Sequence, residues 1–357
     1  MIRTHASAQS DGAWQKEPVR LTIIIVTWNV ADLLRDCLHS IQQTAGDLAH
    51  EVIVVDNAST DGVDAMIERD FPDVRLLRNS FNVGFPHANN QALPFVNSEY
   101  ILYLNPDTRV GPGTLQRCVD ILDHAPDIGL VGCRLDLTDG SVQPDGGRRA
   151  YRLRHLLFES AYLHMFFPRS RIFGDLNLTW WDHRDSRDVE AVAGAFMMVR
   201  REIVTDLAGL PEDLFMFHED MSFCLRVRGR GWRIFYCGEV GILHYSQVSS
   251  SRSNLRLDLL RSECRFMLLR EGQGVWAALA GRLIWGLAGF LRLGVSWSRP
   301  LFPAAVRKYP RVFDSRTHLY QIGWSFAPAL FAHMLPRRQE GAHPSVVLPA
   351  TTPANRE

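Results

Sequence analysis

After a polar start, the chain alternates between two hydrophobic rhythms. "LTIIIVT" (21–27) is an unbroken, largely β-branched run, as a strand buried on both faces requires. "ADLLRDCLHSI" then puts Leu33, Leu34, Cys37, Leu38 and Ile41 on one helical face. "EVIVVDN" (51–57) predicts a second buried strand, with a helix starting at Ser59 or Thr60, both good N-caps. "VRLLRN" (74–79), a helix near 86–95 and "YILYLN" (100–105) continue the alternation. Such βα repeats predict an α/β fold with a mixed, mostly parallel sheet and helices on both faces.

The rhythm loosens after about residue 128. "GLVGCRLDL" predicts a strand, and 140–185 is irregular and rich in Arg and aromatics, an acceptor-side loop region that includes Trp180 and Trp181. "VEAVAGAFMMVRR" (189–201) reads as one strand, with Gly194 and Ala195 small enough for a ligand to approach the backbone. "HED" (218–220) opens a helix, and "RIFYCG" and "VGILHYS" read as two short strands. Residues 251–335 differ, with long apolar stretches studded with Arg and Trp. Within them, 275–297 carries Arg282 and Arg292 and suits core packing or a helix lying in a membrane interface better than a span. The predicted division is a disordered tail 1–17, a sheet domain 18–250, a helical region 251–335 and a disordered tail 336–357.

Composition narrows the partners. Formal charge sums to zero, so there is no electrostatic case for nucleic acid. Six scattered cysteines without a CxxC pair read as core residues of a reducing compartment, and the N-terminus lacks the apolar run of a secretory signal.

In parallel sheets, ligands bind beyond the carboxyl ends of the strands. Those ends carry Thr27, then Asp56, then Arg78 and Asn79, then Asn105 and Asp107. Four consecutive polar strand ends define a candidate site. No Walker loop and no GxGxxG follows a strand, so a bound phosphate would need another neutralising group. Asp107 suits magnesium or manganese, and equally suits a turn cap after Pro106. His244, at a strand end, is a second candidate ligand or a structural histidine. Glu219 and Asp220 at a helix start fit either proton transfer or capping.

Together, "IIIVTWN", "EVIVVDNASTDG", "RNSFNVGFPHANNQAL", "YILYLNPDT", "VAGAFMMVRR", "FMFHED" and the late His244 resemble the family 2 inverting glycosyltransferases, in particular bacterial rhamnosyltransferase-like members, over about residues 21–250. The resemblance implies a GT-A fold and transfer of a sugar, L-rhamnose from dTDP-rhamnose first among the options. The implied acceptor is a lipid-linked or cell-surface glycan at the cytoplasmic face of the membrane, and a homo-oligomer is compatible. It assigns Thr27, Asp56, Ser59, Arg78, Asn79, Asn82, Gly84, Asn105 and Gly194 to the donor, with Phe85 and Asn90 behind it. It assigns Asp107 and His244 to Mg2+ or Mn2+, and Asp220 to the catalytic base. Glu219, with Trp180 and Trp181, falls on the acceptor side. Pro211 and Ser222 depart from the acidic pattern around the base. That departure keeps a non-catalytic nucleotide-sugar-binding scaffold as an alternative. A sugar nucleotidyltransferase would want a Gly-rich loop at the first strand, and "VTWNVADLL" has no glycine.

Overall fold

The computed structural model describes residues 19–213, 217–245, 255–297, 315–326 and 345–347. The apolar run expected first is β1 (Leu21–Thr27), with all of its residues buried. It is followed by α1 (Ala31–Thr44), β2 (His50–Asp56), α2 (Val63–Asp70), β3 (Arg75–Arg78), α3 (Phe85–Ala92) and β4 (Tyr100–Leu104). β2 and β4 flank β1 in parallel, and β3 lies parallel beyond β2. Alternate residues feed two cores: Ile24, Val26, Ile53 and Val55 on one face, Ile23, Ile25 and Val54 on the other. This explains the continuous apolar runs, because each strand needs an apolar residue at every position.

The second half extends the sheet with β5 (Thr108–Val110), α4 (Thr114–His124), β6 (Ile128–Asp136), β7 (Gly147–Arg148), α5 (Leu153–Ser160), α6 (Leu163–Phe166), β8 (Arg187–Val189), β9 (Ala191–Val192), β10 (Phe196–Arg200), α7 (Arg201–Asp206), α8 (Glu219–Gly229) and β11 (Arg233–His244). The strand order is β3-β2-β1-β4-β10-β6-β11-β5, with β8 also on β11. β10 is antiparallel to both neighbours, while β6 and β11 run parallel to each other. The start of β10 and the end of β11 therefore reach the same sheet edge as the ends of β1, β2 and β4. That edge is where the candidate residues collect.

Several expectations are corrected. The helix predicted from Ser59 or Thr60 starts at Val63, after Gly62 at φ 79°. Ser59 and Thr60 instead bond to Asn29 and Asp56 in the loop before it. The single strand expected over 189–201 is broken at residues 193–195 between β9 and β10. The two short strands expected near the end are one strand, β11, with an irregularity between Cys237 and Gly241. All six cysteines are free and buried, as expected of core residues.

Beyond the sheet, α9 (Leu255–Gln273), α10 (Val275–Trp297) and α11 (Ser315–Phe326) pack on one another, with α9 also against α8 and α10 against α5. Arg282 on α10 binds Glu263 at 2.7 Å. Arg292 is buried: its guanidinium donates to the Ser160 carbonyl at 2.7 Å and lies 4.5 Å from the Tyr162 ring centre. Both arginines thus face protein. The opposite side of α10 shows Trp276, Leu279, Leu283, Leu287, Phe290 and Trp297, each half-exposed or more. Among the described residues, α10 is the one helix long and apolar enough to cross a membrane by length and composition.

The expectations for residues 1–17 and for most of 336–357 lie outside the described residues. Within the second, β12 (Ser345–Val347) adds an antiparallel strand to β3.

Candidate active site

One half of the sheet edge is built by the ends of β1, β2 and β3. Thr27 pairs with Asp56, and Asp56 with Arg78, so these residues lie side by side. Asn57 N–H donates to the Thr27 carbonyl and Asn79 N–H to the Asp56 carbonyl, both at 2.9 Å. The loop after β1 is pinned across the gap, with Ser59 Oγ accepting from Asn29 N–H at 2.9 Å and Asn29 Oδ1 from Thr60 N–H at 2.8 Å. Asn29 and Ala58 adopt φ of 55° and 64°, so both tight turns use left-handed backbone. Trp28 stands 54% exposed at the rim.

Among the described residues, three buried atoms in this half make no hydrogen bond: Thr27 Oγ1, Asp56 Oδ2 and Asn79 Oδ1. The rest of each side chain is well held. Asp56 Oδ1 accepts from Ser59 N–H at 2.9 Å. Asn79 Nδ2 donates to Asn57 Oδ1 at 3.0 Å and to Gln91 Oε1 at 2.8 Å, which orients the amide and leaves its oxygen bare. Arg78 binds Asp64 at 2.6 Å, and its Nε stands 3.6 Å from Asp56 Oδ2, close enough to offset charge but too long to bond. An orphaned buried polar atom costs about 1–3 kcal/mol, so three in a row call for a partner. Asn82 and Gly84 do a different job. Asn82 Oδ1 accepts from Gly84 N–H at 2.9 Å, and Gly84, at φ 90°, turns the chain into α3. Asn90 likewise ties α3 to the loop at Leu210, accepting from its N–H at 2.8 Å.

The other half is made by chain segments far apart in sequence. β5 pairs with β11 so that His244 lies opposite Thr108, bringing His244 Nε2 to 3.5 Å from Asp107 Oδ1. Both side chains are mostly buried. Tyr245 N–H closes the corner on the Asp107 carbonyl at 3.0 Å. His244 Nδ1 sits 2.8 Å from Gln143 Oε1. With Nδ1 donating there, Nε2 turns its lone pair toward the Asp107 carboxylate, and the bond from Gln143 fixes the ring in the tautomer and direction a metal would need. The two hard or borderline donors fit a magnesium or manganese ion that keeps water and phosphate oxygens as its other ligands. Among the described residues no cluster of three or more such ligands exists. Asn105 is half-buried beside this corner, its N–H donating to the Ala195 carbonyl at 3.1 Å.

Ala195 links that corner to Asp220. The neighbouring Gly194 N–H donates to Asp220 Oδ2 at 2.8 Å, and an added Cβ on Gly194 would stand 3.3 Å from Asp220 Cβ. Only glycine gives this approach without displacement. Arg148 on β7 also donates to Oδ2, and Met221 N–H donates to Oδ1 at 2.6 Å. Burial works against the Arg148 charge, but the Asp220 carboxylate, together with the Asp145 charge, outweighs it and raises Arg148 further into its charged range. A carboxylate offers about four lone-pair sites. Three are used here, and among the described residues the fourth, on Oδ1, has no donor.

Glu219 is buried with Oε2 unbonded, and burial, then the Asp220 charge, pushes its carboxyl up. Burial, then the Arg265 charge, pushes the neighbouring His218 down. Both sit at the end of a turn with left-handed Phe217 and His218, φ 73° and 63°. The two tryptophans part company. Trp180 is half-buried under Arg171, whose guanidinium is 4.8 Å from the ring centre. Trp181 belongs to the core: it stacks on His183 at 4.1 Å, meets the Tyr236 ring edge-on at 5.1 Å and binds Asp185. Its expected place facing an acceptor is corrected accordingly. Sequence reasoning missed Gln143 and Arg148. Both sit in the irregular 140–185 region, where no periodicity marks them.

Comparison with known proteins agrees with this fold. The model of glycosyl transferase family 2 matches residues 22–206, more than half of the chain. The chain is 26% identical over 288 residues to an N-acetylglucosaminyl-diphospho-decaprenol L-rhamnosyltransferase of Mycobacterium tuberculosis, covering 76% of this chain and 91% of that one. It is 24% identical over 241 residues to a low-salt glycan biosynthesis hexosyltransferase of Haloferax volcanii, covering 65% and 69%. A mannosyltransferase from Pyrobaculum calidifontis, solved in complex with GDP-Man and Mn2+, shares the fold with a TM-score of 0.53 at 19% identity, covering 87% of this chain and 88% of that one. The family sets aside the nucleotidyltransferase and scaffold alternatives: this chain belongs to glycosyl transferase family 2 and is a glycosyltransferase of the GT-A fold.

Proposed function

We propose that the protein transfers L-rhamnose from dTDP-rhamnose to a hydroxyl of a lipid-linked glycan precursor, with inversion at the anomeric carbon. The observation that carries the donor half of this reading is the row of orphaned acceptors, Thr27 Oγ1, Asp56 Oδ2 and Asn79 Oδ1. An acceptor-rich, buried row suits the imide N–H of thymine or uracil and the hydroxyls of the sugar beside it. The choice of rhamnose and of a lipid-linked acceptor is supported by the mycobacterial relative, whose name states both.

Asp107 and His244 would hold Mg2+ or Mn2+, and a Mn2+ complex of the Pyrobaculum enzyme supports that choice. When bound, the ion offsets the charge that grows on the departing diphosphate. The chain's own residues do the rest. The acceptor oxygen bonds to the anomeric carbon as the bond from that carbon to the diphosphate oxygen breaks. Asp220 Oδ1 takes the hydroxyl proton through its remaining lone pair, and Arg148 with Gly194 N–H keep the carboxylate aimed. Direct displacement leaves no covalent enzyme intermediate.

A lipid-linked acceptor requires a peripheral position on the cytoplasmic membrane face, which the half-exposed apolar side of α10 supports. Residues 18–250 then act as the transferase unit and 251–335 as its helical extension. The test is a panel of nucleotide sugars with a polyprenyl-diphosphate acceptor, assayed with Mn2+ and with EDTA. Transfer from dTDP-rhamnose that EDTA abolishes is the expected result. Faster transfer from a UDP- or GDP-sugar would replace the donor, and metal-independent turnover would remove the assigned ion.

A further inference from the structure

The loop 161–174 holds Arg169 and Arg171 and not one acid, in a chain whose formal charge is zero. It also carries Met165, Phe166, Phe167 and Ile172, exposed by 51%, 71%, 53% and 64%. A short helix and loop that only linked α5 to the core would not present four large apolar side chains to water. Arg169 has no ion-pair partner among the described residues, and Arg171 is fixed only through the Trp180 face. The segment is tied to α10 as well. Arg292 of that helix binds the last carbonyls of α5 and lies over Tyr162, the residue before α6. Two elements more than a hundred residues apart thus leave apolar surface uncovered around one junction.

We propose that residues 163–173 form a second membrane anchor: Phe166 and Phe167 enter the acyl boundary while Arg169 and Arg171 bind the phosphates of anionic lipids. The occupant is a lipid bilayer rather than a second copy of the chain, because the charged side chains within the segment are cations only, and the next acid, Asp175, is taken up by Arg154 and His155. A self-association face would set those arginines against their own copies. Large apolar side chains beside cations match the interfacial mode, in which area gives depth and charge gives preference for acidic headgroups. This rests on the peripheral-membrane reading above and adds a location and a lipid class to it.

The experiment is vesicle flotation of the full chain, using phosphatidylcholine alone and phosphatidylcholine with phosphatidylglycerol. Wild type is expected to float with the acidic vesicles. F166S/F167S should lower that bound fraction by about tenfold or more. R169Q/R171Q should lower it on acidic vesicles only and flatten its salt dependence. Hydrolysis of the donor in detergent-free buffer should stay unchanged in both variants, which separates failure of this anchor from failure of the transferase reading. Equal flotation of wild type and F166S/F167S would overturn the anchor. So would a shift from dimer to monomer in F166S/F167S, by sedimentation, with flotation unchanged.

Discussion

The two halves of the sheet edge are finished differently. At the ends of β1, β2 and β3, buried acceptors point at nothing the protein supplies. Around Asp220 almost every lone pair has a donor, and His244 is held from behind by Gln143. A binding pocket for a ligand that arrives and leaves needs atoms kept bare. A catalytic carboxylate needs its direction fixed before the ligand arrives. Incomplete satisfaction in one half and near-complete satisfaction in the other are both what the proposed roles demand.

Substitutions probe this contrast in order of expected effect. Asp220→Asn removes the proton acceptor while keeping the shape, so kcat should fall by about 10²–10⁴ with donor affinity unchanged. Full turnover in that variant would dissolve the catalytic half of the contrast. His244→Ala and Asp107→Asn should each weaken Mn2+ binding and lower kcat/KM by about 10–100-fold, read by metal titration alongside activity. Arg148→Met leaves a mostly buried carboxylate short of its partner. Activity should fall about tenfold or more, and stability by a few kcal/mol. Because Arg148 bears on the proposed proton transfer through Asp220, its other contact being the Val192 carbonyl at 3.4 Å, the double variant Arg148→Met/Asp220→Asn should lose little more activity than Asp220→Asn alone.

How much of this was legible depends on how far apart the partners lie. β1 came out at residues 21–27 as read, because a doubly buried strand announces itself. Thr27, Asp56 and Asn79 followed from the strand-end rule, since Thr27 and Asp56 come directly after an apolar run and Asn79 one residue later, after Arg78. Asp107 and His244 were each readable as candidates, yet their approach depends on β5 pairing with β11 across the sheet. Arg148 and Asp220 are 72 residues apart, and Gln143 and His244 are 101 apart. Nothing local in "DGSVQPDGGRR" marks Gln143 or Arg148, because turn-rich segments carry no period. Trp181 misled for the opposite reason: an aromatic in an irregular stretch looks available until the fold stacks it on His183.

The smallest effect concerns Glu219. Its carboxyl is pushed up in the folded protein by burial and by Asp220, above its ordinary value of 4.5. The stability this neutral group contributes is full below that value and is lost as pH rises through the raised one. Glu219→Gln cannot lose a proton, so its Tm relative to wild type should climb as pH goes from about 5 to about 8. A constant difference across that window would mean that Glu219 is charged in the fold and that the pocket around Asp220 is wetter than its geometry implies.

The most direct measurement of the donor half is calorimetric titration of dTDP with Mn2+ into wild type, Asp56→Asn and Asp220→Asn. Asp56→Asn, which puts a donor where a bare acceptor stood, should weaken binding by about tenfold or more, while Asp220→Asn should bind like wild type. Equal affinity in wild type and Asp56→Asn would contradict this, because the orphaned row would then hold no nucleotide.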